Sequence, residues 1–359
     1  MTDQAPEVIG GVDTHGATHH AAVIDPIGRH LGDREFPATT AGHRALTAWL
    51  AGHGQVIAVG VEGTGSYGAA LARHLRTEGI AVVEVDRPDR KARRARGKSD
   101  PIDAFAAAMA VASGRAGGTP KTRDGLVEAI RMLHVARRSA VKARTQAINQ
   151  IKGLMITAPA VLREQLAPLG TAALIATLAR LRPGPDLSDP LAAAKKALRA
   201  LARRWQLLDA EAAEHEADIA ALVRQAAPAL LALPGCGPIT AAALLITAGD
   251  NPGRMRSEGA FAHLTGSAPI PASSGQTRRH RLSRGGDRQA NNALHMIAIT
   301  RLGHDPRTRA YAARRTAEGL SKKDIIRCLK RYIAREAYKA LTSTNTPPAT
   351  TKPQVATTT

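Results

Sequence analysis

The sequence predicts an α/β domain followed by helical segments, and three observations support this prediction. Short apolar, β-branched runs that are typical of strands occur only before about residue 100. Two later runs, each of roughly 30 residues, carry apolar residues at three- and four-residue spacing, as long amphipathic helices do. The length of 359 residues is enough for two or three domains.

The first segment is expected to form a mixed sheet with helices on its faces. Strands are predicted over residues 9–15, 21–25, 33–38, 56–62 and 80–86, with helices over 43–50 and 66–76. Hairpin-connected strands followed by a strand–helix–strand unit predict a sheet of both parallel and antiparallel pairs. This is the strand order of the RNase H-like fold.

The remainder of the chain is expected to be helical. Helices over 126–155 and 191–223, separated by a proline-rich breaker, are predicted to pair antiparallel as a coiled coil, although an ordinary helical bundle fits the pattern equally well. The predicted domains are 1–118, 119–228 and 229–341. The Thr- and Pro-rich residues 342–359 are expected to be disordered.

Composition indicates a polyanionic partner. The chain has 50 Lys and Arg against 30 Asp and Glu, a net charge of +20, which favours nucleic acid over a membrane surface. Only nine aromatic side chains are present, which argues against base stacking as the main binding mode. Two cysteines exclude a disulfide framework, and no apolar run is long enough to cross a membrane, so a cytoplasmic location is expected.

Four carboxylates are placed where they could share metal ions. Asp13 and Glu62 lie at the ends of two predicted strands, and Asp100 is the expected N-cap of a helix that carries Asp103 one turn further on. Grouped acids repel one another unless a cation neutralises them, and hard oxygen ligands suit Mg²⁺ or Mn²⁺. Two such ions about 4 Å apart promote in-line attack on a phosphodiester.

Each acid also has an ordinary explanation when it is taken alone. Asp100 can be a simple helix cap, and Glu62 can be a surface acid at a strand end. Asp13 can be a turn residue or part of the phosphate loop of an actin-like sugar kinase. The complete set, in this order on strand, strand and helix, favours the metal site.

The C-terminal segment contains two motifs that point to DNA. The run Leu233-Pro-Gly-Cys-Gly-Pro-Ile-Thr240 has the pattern of a helix–hairpin–helix turn, in which Gly235 and Gly237 permit a tight bend whose amides can bind a backbone phosphate. Some copies of this motif are only structural turns, and this alternative stays open. Further on, Pro271-Ala-Ser-Ser-Gly275 is followed by clustered arginines that can bind phosphate bidentately. These arginines are Arg278, Arg279, Arg281, Arg284 and Arg288.

Taken together, GVDTH, VEGTGSYG and KSDPIDA, followed by PASSG and GGDRQANN, resemble the DEDD-type insertion-sequence transposases of the IS110 family. The resemblance implies a RuvC-like N-terminal domain with Asp13, Glu62, Asp100 and Asp103 as metal ligands. It also implies that Ser274 is the nucleophile of a covalent protein–DNA intermediate, although Ser273 beside it stays an alternative. A basic segment before the metal helix is expected to contact phosphate through Arg93, Arg94, Arg96 and Lys98.

The resemblance further implies partners that the residues alone do not indicate. Members of the family use a bridge RNA to choose donor and target DNA, and recombination of two duplexes requires a homo-oligomer of two to four protomers. In the family picture, the metal-bound acids and the serine meet between subunits. Two alternatives stay open, a RuvC-like junction nuclease that uses water and a non-catalytic nucleic-acid-binding protein.

Overall fold

The computed structural model describes residues 5–85, 99–276 and 279–343. The chain divides into two compact units. The first comprises Met1–Gly125 together with Ala248–Ser257, and the second comprises Leu126–Thr247 together with Glu258–Thr359. A short stretch from the C-terminal half therefore belongs to the N-terminal unit.

The first unit is built around a five-stranded mixed sheet. Its strands are β1 (Glu7–Thr14), β2 (Thr18–Ile24), β3 (His30–Pro37), β4 (Gln55–Glu62) and β5 (Val82–Val85). They are arranged in the order β3-β2-β1-β4-β5. β2 runs antiparallel to both β1 and β3, whereas β4 runs parallel to both β1 and β5. The predicted mixed α/β sheet is thus confirmed.

Helices cover both faces of this sheet. On one face, α1 (Thr40–Ala51) and α2 (Ala69–Thr77) bury leucines such as Leu46 and Leu71 against Val12 and Val59 of the central strands. On the other face, α3 (Asp100–Ala112) packs against β1, β2 and β4. The central strands are covered on both sides, which agrees with their nearly continuous apolar sequences.

The stretch Ala248–Ser257 completes the first unit by pairing with the backbone of residues 117–122. The Asn251 side chain donates to the Pro120 carbonyl (2.9 Å) and accepts from the Thr122 amide (3.2 Å). Arg254 donates to the Thr119 carbonyl at 2.9 Å and to the Glu84 carboxylate at 3.3 Å. These side-chain contacts join segments that are more than 120 residues apart in sequence, and no local pattern predicts them.

The second unit contains two long helices, α4 (Leu126–Thr157) and α7 (Pro190–Ala226). Ion pairs Arg137–Glu216 and Arg144–Asp209 join them, and the partner number falls as the first number rises, so the helices are antiparallel as expected. The connecting helices α5 (Ala160–Leu166) and α6 (Thr171–Ala179) add leucines to a core at one end of this pair.

The rest of the second unit is a group of helices around a buried Phe261. Its helices are α8 (Pro228–Leu231), α9 (Pro238–Ala248, whose last residue belongs to the first unit), α10 (Glu258–Leu264), α11 (Arg288–His304), α12 (Pro306–Ala317) and α13 (Lys322–Ser343). Two short strands that the sequence did not predict, β6 (Ile270–Pro271) and β7 (His280–Arg281), form a small hairpin. Among the described residues, no helix has both the length and the apolarity needed to cross a membrane.

Candidate functional site

Asp13 and Glu62 lie at the same end of two neighbouring parallel strands. Val12 on β1 is in register with Val61 on β4, and each acid is the next residue along its strand. Asp13 is buried, with 7% of its surface exposed, whereas Glu62 is half-buried. The strand ends are joined by a hydrogen bond of 2.9 Å from the Thr14 hydroxyl to the Glu62 carbonyl. Parallel pairing therefore brings the two acids to one edge of the sheet.

Helix α3 brings the second pair of acids to the first unit. The helix begins at Asp100, one residue earlier than expected, so Ser99 occupies the N-cap position and the predicted cap role of Asp100 is wrong. Pro101 still lies in the first turn, where its missing N–H costs no helical hydrogen bond. Asp103, one turn further on, is almost completely buried, with 2% of its surface exposed.

Two strand glycines allow α3 to lie unusually close to the sheet. A Cβ atom on Gly11 of β1 would be 2.2 Å from both the Ala104 carbonyl oxygen and the Ala108 amide nitrogen of α3. A Cβ on Gly60 of β4 would be 2.8 Å from the Ala107 carbonyl oxygen. Glycine is therefore needed at both positions for close approach of helix and strands, and this contact sets the height of α3 above the sheet.

The structure brings Asp13, His15 and Asp100 together as a group that could hold a metal ion. One ligand atom from each residue lies within 4.8 Å of the others, and the distance from His15 Nδ1 to Asp13 Oδ2 is 3.7 Å. Glu62 and Asp103 do not belong to this group, although Glu62 ends β4 beside β1 and Asp103 lies on α3 with Asp100.

His15 is a candidate ligand that the sequence reasoning missed. It follows Asp13 by two residues, and side chains at this spacing point to the same side of an extended chain. An imidazole beside two carboxylates is compatible with a first-row divalent ion such as Mn²⁺, whereas an all-oxygen set is preferred by Mg²⁺. The donor set thus fits a divalent cation.

Part of the predicted basic surface lies outside the described residues. This applies to Arg93, Arg94, Arg96 and Lys98 of the basic segment and to Arg278 after the serine pair. Four members of the arginine cluster are described, and the side chains of all four are exposed: Arg279, Arg281, Arg284 and Arg288.

The serine pair lies at the tip of the β6–β7 hairpin. The Ser273 hydroxyl accepts a hydrogen bond from the Arg279 amide at 3.3 Å and lies 3.4 Å from the Arg279 carbonyl, so it closes the hairpin. Ser274 is exposed, and Gly275 after it has a φ of +55°, in the left-handed region that favours glycine. Both serines are thus exposed, and the Ser273 hydroxyl is engaged with the backbone of Arg279.

The GGDRQANN motif holds the base of this hairpin. A Cβ on Gly286 would be 2.1 Å from the Gly266 amide nitrogen, and the Asp287 side chain caps α11 by accepting from two amides of its first turn. Asn291 donates to the carbonyls of Thr265 and Gly266 at 2.8 and 3.0 Å. This motif, which the sequence marked only by resemblance, thus has a clear structural role.

Lys330 of α13 is a second polar residue that the sequence reasoning missed. Its ammonium group donates to the Asn291 side-chain oxygen at 2.8 Å. Burial, together with the nearby charge of Arg327, lowers the pKa of Lys330. A lysine in an amphipathic basic helix gives no local sign that it is buried, so only the packing of α13 on α11 reveals this contact.

The predicted helix–hairpin–helix region forms a short helix, a tight turn and a second helix. Gly235 has a φ of +73°, and a Cβ there would be 3.2 Å from the Ile297 carbonyl oxygen. A Cβ on Gly237 would have nothing within 4 Å, so this glycine is open to approach by a ligand. Burial raises the pKa of the Cys236 thiol between them, as for an ordinary buried cysteine.

Comparison with known proteins agrees with these features. Residues 10–158 match the transposase family model of the DEDD-type IS110 elements, and residues 227–313 match that of the transposases of the IS116/IS110/IS902 family. The two matches together cover more than half of the chain.

Three relatives illustrate the similarity. A mini-circle transposase for IS117 from Streptomyces coelicolor is 28% identical over 378 residues, which cover 89% of this chain and 90% of the relative. A family 20 transposase from Pseudomonas aeruginosa is 34% identical over 163 residues, covering 45% of this chain and 46% of the relative. The 43.6 kDa protein of insertion element IS110 from S. coelicolor is 33% identical over 138 residues, covering 38% of this chain and 30% of the relative.

The acids on β1, β4 and α3 and the serine hairpin with its supporting motif all fall within the two matched regions. The chain belongs to the IS110 family of DEDD-type transposases and is a DNA transposase.

Proposed function

We propose that this transposase cuts and rejoins DNA by a metal-assisted attack of a serine hydroxyl on the phosphodiester backbone. The observation that carries the proposal is the convergence of Asp13, His15 and Asp100 on one small volume at the edge of the sheet. Buried or half-buried acids that meet in this way repel one another, and a divalent cation relieves that repulsion.

The proposal includes a RuvC-like first unit. Its support is the strand order β3-β2-β1-β4-β5 with one antiparallel hairpin region and two parallel pairs, together with a carboxylate on each of the two central strands. The full ligand set is proposed to be Asp13, Glu62, Asp100 and Asp103, with His15 as an additional or alternative ligand. The proposed ion is Mg²⁺ or Mn²⁺.

Bound divalent ions would polarise the scissile phosphate and stabilise the charge that develops on it. The chain's own residues have three tasks. The carboxylates hold their positions because α3 is packed tightly on Gly11 and Gly60. Ser274 presents its hydroxyl oxygen, which loses its proton and forms the new bond to phosphorus while the bond from phosphorus to the leaving strand's oxygen breaks. That oxygen keeps the bond electrons and takes up a proton, so the leaving strand ends in a free hydroxyl. Arg279, Arg281, Arg284 and Arg288 bind the flanking phosphates.

Ser274 is favoured over Ser273 by its environment. A nucleophile must be accessible to the substrate, and both serines are exposed at the hairpin tip, with Ser274 beside the left-handed Gly275. The Ser273 hydroxyl is instead engaged with the Arg279 backbone, where it stabilises the hairpin. Because phosphoserine linkage conserves the energy of the phosphodiester bond, rejoining would need no external energy source.

Nucleic-acid binding outside the reacting centre is proposed for the turn at Gly235 and Gly237, which would contact a backbone phosphate through its amides. The bridge RNA and an assembly of two to four protomers stay predictions from the family resemblance. The net charge of +20 is compatible with binding both DNA and RNA.

The first experiment would follow end-labelled element-junction DNA on a denaturing gel, with Mg²⁺ and the RNA transcribed beside the element. Wild type would be compared with Ser274→Ala, Asp103→Ala and the matched control Ser273→Ala. We expect a protein-linked DNA band that is lost in the first two variants and retained in the control. Loss of the protein-linked band in Ser273→Ala, with the band retained in Ser274→Ala, would identify Ser273 as the nucleophile.

The same gel distinguishes the alternative functions. Cleavage that survives both serine changes without a covalent band would refute the serine mechanism and favour a RuvC-like nuclease that uses water. Binding without any divalent-dependent cleavage, unchanged in Asp13→Asn, would favour a non-catalytic binding protein.

Metal binding can be tested separately from the reaction. Electron paramagnetic resonance of Mn²⁺ measures the fraction of ion bound by wild type, Asp100→Asn and His15→Gln. His263→Gln provides a control, because His263 is an exposed residue of α10 in the second unit, whereas the group lies in the first. We expect weaker Mn²⁺ binding in Asp100→Asn and in His15→Gln, and unchanged binding in the control. Equal Mn²⁺ binding by all four proteins would contradict the proposed site.

A further inference from the structure

The C-terminal helices line an open cleft that the proposed chemistry does not use. Its volume is about 940 Å³, and its walls come from α11, α12 and α13 and from Pro234 in the turn before α9. All of these residues belong to the second unit. The volume lies within the range of about 300–1,000 Å³ that is usual for small-ligand sites.

Arg301 in the wall of this cleft has an unsatisfied guanidinium group. Its side chain is 9% exposed, its Nε donates to the Pro234 carbonyl at 2.7 Å, and its Nη1 lies 2.8 Å from Glu336 Oε2. The other terminal nitrogen, Nη2, is buried and has no hydrogen-bond partner within the described part of the chain. This nitrogen has almost no accessible surface, so a ligand in the cleft cannot reach it, and Arg301 acts on such a ligand through its positive charge alone.

Two further guanidinium groups line the same cleft. Arg307 and Arg314 are exposed and lie seven residues apart on α12, which places them on one side of the helix, two turns apart. Of the two lining acids, Asp305 caps α12 by accepting from the Thr308 amide at 2.9 Å, and Glu336 accepts from Arg301. The acids are thus engaged within the fold. Arg314 is weakly paired, with its Nε 3.9 Å from Glu318 Oε1, so its terminal N–H groups and those of Arg307 are the donors for a ligand.

Two tyrosines complete the lining. The rings of Tyr311 and Tyr332 meet edge to face with centroids 5.7 Å apart, and Tyr332 is 47% exposed. The Arg314 guanidinium lies over the Tyr311 ring, 5.5 Å from its centroid. An exposed ring beside arginines is suited to contact with the sugar or base of a nucleotide whose phosphate the arginines hold.

We infer that this cleft is a nucleotide-binding site for a single nucleic-acid strand. The exposed guanidinium groups of Arg307 and Arg314 would bind one or two backbone phosphates, and Tyr332 would contact the adjoining base. Phosphate oxygens are the acceptors that exposed guanidinium groups bind best. The inference does not depend on the serine or on the carboxylates, so its test is independent of the test of the proposed DNA cleavage.

The test measures binding of a fluorescein-labelled twelve-nucleotide oligothymidylate to the full-length protein by fluorescence anisotropy, over a range of salt concentrations. The double variant Arg307→Gln/Arg314→Gln removes two lining cations. The control pairs Arg309→Gln with Arg315→Gln, which removes the same charge from α12 at positions outside the cleft lining. Circular dichroism would verify that the helical content of each variant is unchanged.

We expect the lining variant to reduce the slope of log K against log salt by about 1.4, because each single-strand phosphate contact contributes about 0.7. At 0.1 M salt this corresponds to about 25-fold weaker binding, since the electrostatic contribution vanishes near 1 M. Tyr332→Leu should weaken binding about fivefold without changing the slope. Equal losses in the lining and control variants would overturn the inference, as would no loss in the lining variant.

Discussion

Replacing Gly11 by alanine would test whether close packing of α3 on the sheet aligns the acids. The added methyl group would lie 2.2 Å from the Ala104 carbonyl oxygen and the Ala108 amide nitrogen, and 2.8 Å from the Ala108 Cα. All three atoms are backbone atoms of α3, so no side-chain rotation can relieve the contact. The helix itself has to move away from β1.

The size of this movement follows from the distances. An ordinary contact requires at least 3.0 Å, and most real contacts exceed 3.4 Å, so α3 must move by about 1 Å. Overpacking of this kind lowers the free energy of unfolding by about 1–3 kcal/mol, and we expect a loss near 3 kcal/mol because the clash involves backbone atoms. Since Asp100 is carried on α3, the same shift would separate it from Asp13, and a misplacement of about 1 Å can reduce a reaction rate about 100-fold.

Two measurements would determine the outcome. Urea unfolding of the first unit can be followed by the fluorescence of Trp49 in a Trp205→Phe background, because the chain has only these two tryptophans. With a urea dependence of about 3 kcal/mol per molar, a loss of about 3 kcal/mol lowers the midpoint by about 1 M. DNA cleavage by the same variant should fall about 100-fold.

Gly32→Ala serves as the matched control. It adds a methyl group to another strand glycine of the same sheet, where the nearest atoms are 3.6 Å away, so stability and cleavage should change little. An unchanged midpoint and full cleavage in Gly11→Ala would refute the packing argument. A lowered midpoint with full cleavage would show that the acids do not depend on the height of α3.

Three further predictions follow from the same structure. The free energy of unfolding should fall as the pH decreases from about 6.5. Burial lowers the pKa of His19 and of His134 to about 4, so below pH 6.5 the unfolded chain binds protons that the folded chain does not. Between pH 7 and pH 5, the urea midpoint of the double variant His19→Gln/His134→Gln should therefore change less than that of wild type. Arg254→Ala should lower the free energy of unfolding by about 1.5–3 kcal/mol, because it removes hydrogen bonds to Thr119 and Glu84. Amide hydrogen exchange over residues 117–122 should become faster, and unchanged protection there would contradict this prediction. Gly235→Ala should lower the free energy of unfolding by about 1–2 kcal/mol, because Gly235 has a left-handed backbone, whereas Gly237→Ala should leave it unchanged. Equal changes in melting temperature for the two variants would contradict the proposed turn geometry.

Local patterns were sufficient for the elements that place the site. The strand ending at Asp13 and the strand ending at Glu62 were recognised from β-branched runs, and both were found within two residues of their predicted bounds at their N-terminal ends. The long helices were recognised because apolar side chains at helical spacing must face a partner helix. The start of α3 was misplaced by one residue because Pro101 is tolerated at more than one position of a first turn.

Contacts between distant segments could not be predicted in this way. His15 was missed because a lone histidine after a strand has no distinctive spacing, and its role depends on Asp100 being carried to it by α3. The Lys330–Asn291 contact and the unsatisfied Arg301 nitrogen depend on how α11 and α13 pack, which no periodicity specifies. The environments of Ser273 and Ser274 differ only because the hairpin forms as it does.

The sequence alone thus determined the mixed α/β first unit, the antiparallel long helices, the need for a polyanionic partner and the family, since propensity, periodicity, charge and motif are all properties of the linear chain. Tertiary structure decided which acids meet and that Ala248–Ser257 belongs to the first unit. The physical reason is that these features are distances between segments far apart in the chain. Such distances are set by close packing, as where Gly11 admits α3, and not by any local preference.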